Sequence, residues 1–396
     1  MALEELRSRP SLSAYLLGAL VALFYLVGRW TPGRLLSPRL QGSPKEGEPR
    51  LWLALLALGL VLYLATERGR GRGLSRSWPR ILGFLGLVAL GLYFVASLAW
   101  APSLSLAEEK AYELVLPVPL LVCIWMHRDP LGVARASIVV LTWLLLAMGT
   151  LAFFSSMEGR LAVLGGGPIV FGRNMGLLAV ILLAQGMVMT RQVWRVALSL
   201  LAVMLVLVSG SRGALLAMLF GSGSLALRTR VWRLVPPLIV AAGTLVLIQD
   251  LPFVKAAQDR FAYRVLELTI RERYTAGRTT LYLESVDVFM GAPAFGLGLG
   301  GSGYALGAYP HNIFLEIACE GGLLAVALFL VFLCSVLWEC RSTRAPPDLV
   351  GVFLVLLASA QFSGDLFDSR GVFLFGALIL AAGASRRRRR SNAGAA

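Results

Sequence analysis

Histidine is almost missing from this chain. Only two occur among 396 residues, His127 and His311, so imidazole chemistry has two possible addresses. Cysteine is scarce as well: Cys123, Cys319, Cys334 and Cys340 lie in or beside apolar runs and lack metal-ligand spacing. That excludes a zinc ribbon or a disulfide framework and leaves buried free thiols. No Asp-x-Asp pair occurs, so no metal-holding carboxylate motif is visible, and the expectation is metal-independent chemistry with no cofactor. Charged residues are only 15% of the chain, well below the roughly 25% of a soluble domain. What fills the space is apolar: 57% of residues are hydrophobic.

The apolar residues come in long runs, and a bilayer core about 30 Å thick takes about 20 of them per helix. Candidate spans are Ser11–Gly28, Leu51–Thr66, Ile81–Trp100, Tyr112–Met126, Ser137–Phe154, Met175–Thr190, Val196–Ser209, Ala214–Leu227, Leu234–Ile248, Gly322–Trp338, Leu349–Phe362 and Val372–Ala384. Lipid admits only helices or closed barrels, and continuous rather than alternating runs mean helices. The expected fold is therefore an all-α polytopic membrane protein of about twelve transmembrane helices. Residues 1–249 hold the first nine, residues 250–311 form one long polar loop with short helices, and residues 312–396 hold the last three and a basic tail. The first run follows Arg7 and Arg9, as in a signal peptide, but no small-residue cleavage site follows, so it reads as a retained helix.

Alternating spans sort the connecting segments onto two sides. One side collects 21 of the 37 Lys and Arg against 6 of the 22 Asp and Glu, which is the whole net charge of +15. Basic residues stay cytoplasmic, so both termini are placed inside and the long loop outside. Arg386–Arg390 reads as an anchor on anionic lipid rather than a nucleic-acid arm.

The outer side carries the groups with chemical potential. Ser155–Asn174 is read as a loop ending in Phe171-Gly172-Arg173-Asn174, and Ser209–Gly213 as a tight turn presenting Arg212. In the long loop, Phe261, Val265 and Leu268 form an apolar stripe flanked by arginines, which fits either an interfacial helix or a cap on the bundle. A second helix starts near Thr279 or Thr280, with Arg278 at its start and Tyr282, Val286, Phe289 and Met290 as its apolar face. A glycine-rich coil then leads to His311, and Asn312 is placed to cap the next helix, which Gly321-Gly322 can bend. Guanidinium forks at Arg173, Arg212 and Arg278 suit a lipid-linked phosphate or pyrophosphate whose tail lies in the bilayer. The helix N-termini at Thr279 and Asn312 offer amides to the same anion. The plainer readings stand beside this: Arg212 pairs with a helix C-terminus, Arg173 snorkels, and His311 caps a helix. An imidazole here can also take a proton from an attacking hydroxyl. His127 is expected to be a solvated cytoplasmic residue. The pairs Glu284 and Asp287, Glu316 and Glu320, and Asp365 and Asp368 are acid–base candidates, but more commonly such groups pair with arginines.

The ordered set of motifs resembles the O-antigen ligase and polymerase superfamily. The segments are Phe171–Asn174, Ser209-Gly-Ser-Arg-Gly-Ala, Gly277-Arg278-Thr-Thr-Leu-Tyr, Pro293-Ala-Phe-Gly-Leu-Gly-Leu-Gly, His311-Asn-Ile-Phe-Leu-Glu and Glu320-Gly-Gly-Leu. Tyr282 stands where tryptophan is common in that family. The resemblance implies a C-type membrane glycosyltransferase fold in a bacterial inner membrane with a periplasmic site. It further implies transfer of a glycan from undecaprenyl pyrophosphate to an acceptor hydroxyl, such as that of lipid A core. The resemblance assigns Arg278 to the donor pyrophosphate and His311 to acceptor activation, while the outer-face reading adds Arg173, Arg212 and Asn312 as pyrophosphate-binding candidates. The reaction expected is a metal-independent, inverting transfer. A polymerase joining repeat units would use the same donor chemistry. A transporter of the same lipid is a different class and would bury charge at mid-membrane.

Overall fold

The computed structural model describes residues 10–27, 59–60, 63–64, 78–152, 167–184, 192–228, 277–341 and 345–393, and a few positions between 250 and 267. The expected spans Leu51–Thr66 and Leu234–Ile248, and the stripe Phe261, Val265 and Leu268, lie mostly or wholly outside them. Among the described residues every regular element is helical: α1 Leu12–Val27, α2 Trp78–Ala96, a 3-10 turn Ser97–Trp100, α3 Leu104–Val115, α4 Val118–Met126, α5 Pro130–Ala152, α6 Gly167–Leu183, α7 Gln192–Ser209, α8 Arg212–Arg228, α9 Arg278–Gly291, α10 Gly301–Leu306, α11 Ile313–Arg341, α12 Pro347–Ser359 and α13 Arg370–Ala393. Three helical segments are long and apolar enough to cross a membrane: Trp78–Trp100, Pro130–Ala152 and Ile313–Arg341. Six more helices are apolar but shorter. The chain is a multi-pass membrane protein.

The outward side chains make the solvent plain. Along α2, Gly83, Gly86, Leu87, Leu90 and Phe94 are buried at helical spacing, while Leu82, Leu85, Val88, Leu92 and Val95 are exposed. Both faces are apolar, so the outward one is built for lipid. By contrast α6 is buried from Phe171 through Leu182, so it runs inside the bundle.

Side-chain contacts fix which helix ends lie together. At one end Ser13 bonds His127, just ahead of α5, and Gly383 of α13 lies against Arg80 and Glu339. At the other end, the site end, Tyr25 bonds Asn174 of α6, and Arg370 at the start of α13 donates to the carbonyls of Phe24 and Tyr25. The start of α11 is tied to the end of α12, with the Ile313 amide 2.9 Å from the Ala360 carbonyl.

Helix boundaries depart from the hydropathy reading. α5 begins at Pro130 rather than Ser137, and α6 at Gly167 rather than Met175. Arg173 and Asn174 therefore stand inside a helix, not in a loop. Each helix opens with a proline in its first turn, where the missing N–H costs nothing, and polar side chains there are tolerated because they face protein. The run Tyr112–Met126 is not one helix: it breaks into α3 and α4 at Pro117, and α3 reaches back to Leu104.

Helix α9 starts one residue before Thr279 and is preceded by Gly277 in a left-handed conformation (φ 75°), without a side-chain cap. Its buried residue is Ser285, not the expected apolar face. Val286 and Met290 are exposed along with Leu283, Phe295 and Tyr304. The reason is contact with α11: the Ser285 carbonyl receives the Cys319 thiol at 3.1 Å, which turns Val286 and Met290 outward. The bend at Gly321-Gly322 is present, with Gly322 at φ 61°, ψ −163° inside α11.

Candidate functional site

His311 has the one positive φ (56°) among non-glycine residues that are described. The left-handed conformation costs a side-chain-bearing residue about 1–2 kcal/mol, and such strain persists only where surroundings enforce it. Two contacts do so. The Tyr309 ring meets the imidazole edge-on, centroids 4.5 Å apart at 70°. Asn312 then caps α11: its Oδ1 accepts the amides of Phe314 at 2.9 Å and Leu315 at 3.2 Å.

This cap changes the part assigned to Asn312. The Ile313 amide is taken by Ala360 and the Glu316 amide by the Asn312 carbonyl. All four leading amides of α11 thus have acceptors within the protein, so this helix end has none left for a phosphate. The Asn312 amide nitrogen itself points to the Gln361 carbonyl at 3.4 Å.

Gln361 is the meeting point of three candidate elements. Its carbonyl also accepts the Tyr282 hydroxyl at 2.9 Å, and Tyr282 lies one turn after Arg278 on α9. Burial pushes the Tyr282 phenol above its ordinary value, opposed by the Arg278 charge and a hydrogen bond with Asn312. The phenol is therefore neutral and able to donate. Next along, Phe362 packs on Gly213, beside Arg212 at the start of α8. The turn after α12 thus joins the starts of α8, α9 and α11, which carry Arg212, Arg278 and His311.

Arg173 lies deeper. It is 7% exposed and sits within hydrogen-bond reach of the Tyr25 hydroxyl, which donates to Asn174 Oδ1 at 2.9 Å. Its Nε has no hydrogen-bond partner among the described residues. A buried guanidinium with an unused donor in a membrane protein marks function by default. Arg370 is nearby, but carbonyls of Phe24, Tyr25 and Phe367 occupy its donors and Phe367 stacks beneath it, so it clamps helix ends.

The carboxylates sort themselves by burial. Glu284 and Asp287 are exposed on α9. Glu316 and Glu320 are fully buried, and what they pair with is not an arginine. Lys110 of α3 reaches both: Glu316, and Glu320 at 2.5 Å. Ser302 of α10 donates to the same Glu320 oxygen at 2.5 Å. Lys110 was not singled out in the sequence, where it follows Glu108 and Glu109 between the candidate spans Ile81–Trp100 and Tyr112–Met126. The amphipathic pattern of α3 was the one available signal. No group of three or more His, Cys, Asp and Glu able to hold a metal occurs among the described residues.

His127 departs from expectation. It is buried, its Nδ1 accepts the Asp129 amide at 2.9 Å, and Nε2 therefore carries the proton toward Ser13 at 3.3 Å. It is a helix-end fastener. Charge is also not confined to the site end: Arg80 and Glu339 form a buried pair at 3.0 Å near the opposite end.

Residues 196–330 match the family model described as O-antigen ligase. That segment is of the O-antigen ligase type, which supports the resemblance of its motifs to the O-antigen ligase and polymerase superfamily. A comparison with curated proteins returned no match. The O-antigen ligase segment takes in Arg212, Arg278, His311, Asn312, Glu316 and Glu320, whereas Lys110 and Arg173 precede it.

Proposed function

We propose that this protein is an O-antigen ligase-type glycosyltransferase, working at the periplasmic face of the bacterial inner membrane with both termini in the cytoplasm. The donor is a glycan on undecaprenyl pyrophosphate and the acceptor a hydroxyl such as that of lipid A core. The observation that carries the reading is the junction at Gln361, which ties together the helix starts bearing His311, Arg278 and Arg212 within a segment of O-antigen ligase type.

In this reading the acceptor oxygen attacks the anomeric carbon and the bond to the pyrophosphate oxygen breaks. His311 accepts the acceptor's proton. Arg278, Arg212 and Arg173 stabilise the negative charge that grows on the departing pyrophosphate. The glycan is already activated by its lipid, so no nucleotide takes part. A single displacement inverts the anomeric centre. Asn312 serves by holding the turn that presents His311.

The test is transfer from an undecaprenyl-pyrophosphate glycan by the purified full chain. His311→Asn, which tolerates a left-handed backbone, is expected to lower turnover about 10²–10⁴-fold. Arg278→Ala is expected to lower it about 10²–10³-fold. Both should keep the unmutated melting behaviour within a few degrees. Full activity in His311→Asn would remove the general-base role. A product ladder formed without added acceptor core would make the protein a polymerase instead.

A further inference from the structure

The buried cluster of Lys110, Glu316, Glu320 and Ser302 lies directly behind the segment that delivers His311. Glu316 is on the first turn of α11 and its amide bonds the Asn312 carbonyl. Glu320 is one turn further, immediately before the bend at Gly322. Its carbonyl accepts the Gly298 amide at 2.9 Å, and that of Cys319 the Leu297 amide at 2.9 Å. The other side of the same coil is gripped by the α2–α3 corner: Tyr93 donates to the Phe295 carbonyl at 2.7 Å, and the Leu299 amide donates to Ser97 Oγ at 3.0 Å. Lys110 is on the helix that follows this corner. The coil leading to His311 is therefore held between α3 and α11, and Lys110 is the charge that joins the two.

Both carboxylates are fully buried and each has a second oxygen, Oε2, with no hydrogen-bond partner among the described residues. Asp365 adds negative charge toward Glu316. Lys110 is the one cation paired with these two carboxyl groups among the described residues, and without its ammonium two acidic groups one turn apart would be left without a counter-charge at the helix start that sets the His311 turn.

We propose that Lys110 is a positioning residue for His311, holding Glu316 and Glu320 together so that α10 and the start of α11 keep the imidazole in its left-handed turn. Its consequence for turnover rests on the reading of His311 as proton acceptor, but its consequence for the imidazole's surroundings does not.

Two readouts separate the claims. The first is glycan transfer by the purified full chain. The second is the rate of His311 modification by diethylpyrocarbonate, followed by peptide mass spectrometry, with His127 at the opposite end as internal reference. In Lys110→Met, kcat is expected to fall at least 10-fold while KM for the lipid-linked donor stays within 2-fold. The His311 rate should change at least 3-fold with the His127 rate constant. Lys110→Arg should restore most of both, which a loss of fold stability alone would not split in this way. If Lys110→Met does not fold, Lys110→Met with Glu316→Gln and Glu320→Gln removes the buried charge altogether and is read identically. An unchanged His311 rate in either folded variant overturns the proposal. An unmutated chain without transfer, together with an altered His311 rate in Lys110→Met, overturns the glycosyltransferase reading and leaves the positioning role standing.

Discussion

At the scale of single residues, the backbone of His311 separates chemistry from conformation. A histidine at φ 56° pays a cost that glycine does not. His311→Gly should therefore be more stable than His311→Ala by about 1 kcal/mol, seen as a higher melting temperature in detergent, while both lose transfer alike. Activity retained in His311→Gly would show that the turn, not the imidazole, is what matters. The Asn312 cap could be read from sequence because it closes within three residues. Lys110 could not, because its carboxylates lie 206 and 210 residues away and no nearby pattern announces them. For the same reason the arginine pairing expected for Glu316 and Glu320 was wrong. A carboxylate pairs with whichever cation the fold brings, and here a lysine from α3 arrives first. Removing that lysine leaves an uncompensated buried charge, a change that costs about 3–5 kcal/mol where measured in other proteins.

At the scale of elements, the glycine-rich coil and the bend in α11 work as one joint. A Cβ on Gly296 would strike the backbone of Glu320 and Gly321, and one on Gly322 would lie 2.5 Å from the carbonyl group of Ala294. Both residues also have positive φ, 69° and 61°. Gly296→Ala should thus destabilise the protein by more than about 2 kcal/mol, from the left-handed penalty together with overpacking. Thermal unfolding checks this, and Gly291→Ala is the control, since a Cβ there meets nothing within 4 Å among the described residues. A melting temperature for Gly296→Ala equal to the control would mean the coil is not held as described. The bend was legible because paired glycines in an apolar helix have few other uses. The start of α6 was not, because hydropathy stops counting at Arg173 whereas the helix continues to Gly167. For α9, periodicity names an apolar stripe without saying whether protein or lipid covers it. A lipid-facing stripe is as stable as a buried one at a membrane rim.

At the scale of the whole molecule, charge and contact geometry arrive at the same division by independent routes. The charge count uses the basic and acidic residues of the connecting segments, whereas the helix directions follow from side-chain contacts such as Tyr25 with Asn174 and Arg80 with Glu339. Both put His311, Arg278 and Arg212 at the end opposite the start of the arginine run. Cysteine labelling tests which side of the bilayer that is. Cys123, Cys319, Cys334 and Cys340 are first changed to serine. Ala305→Cys then adds a thiol on α10 at the site end, and Arg341→Cys one at the opposite end, both at exposed positions. A membrane-impermeant maleimide added to cells with a permeabilised outer membrane should label Ala305→Cys and reach Arg341→Cys only after lysis. The expectation follows from the excess of arginine at the opposite end, since a segment dense in arginine resists translocation against the membrane potential. The reverse labelling order would place the imidazole and its arginines in the cytoplasm. No undecaprenyl-linked glycan awaiting a periplasmic acceptor would then meet them, so the orientation decides whether the junction at Gln361 can serve the transfer at all.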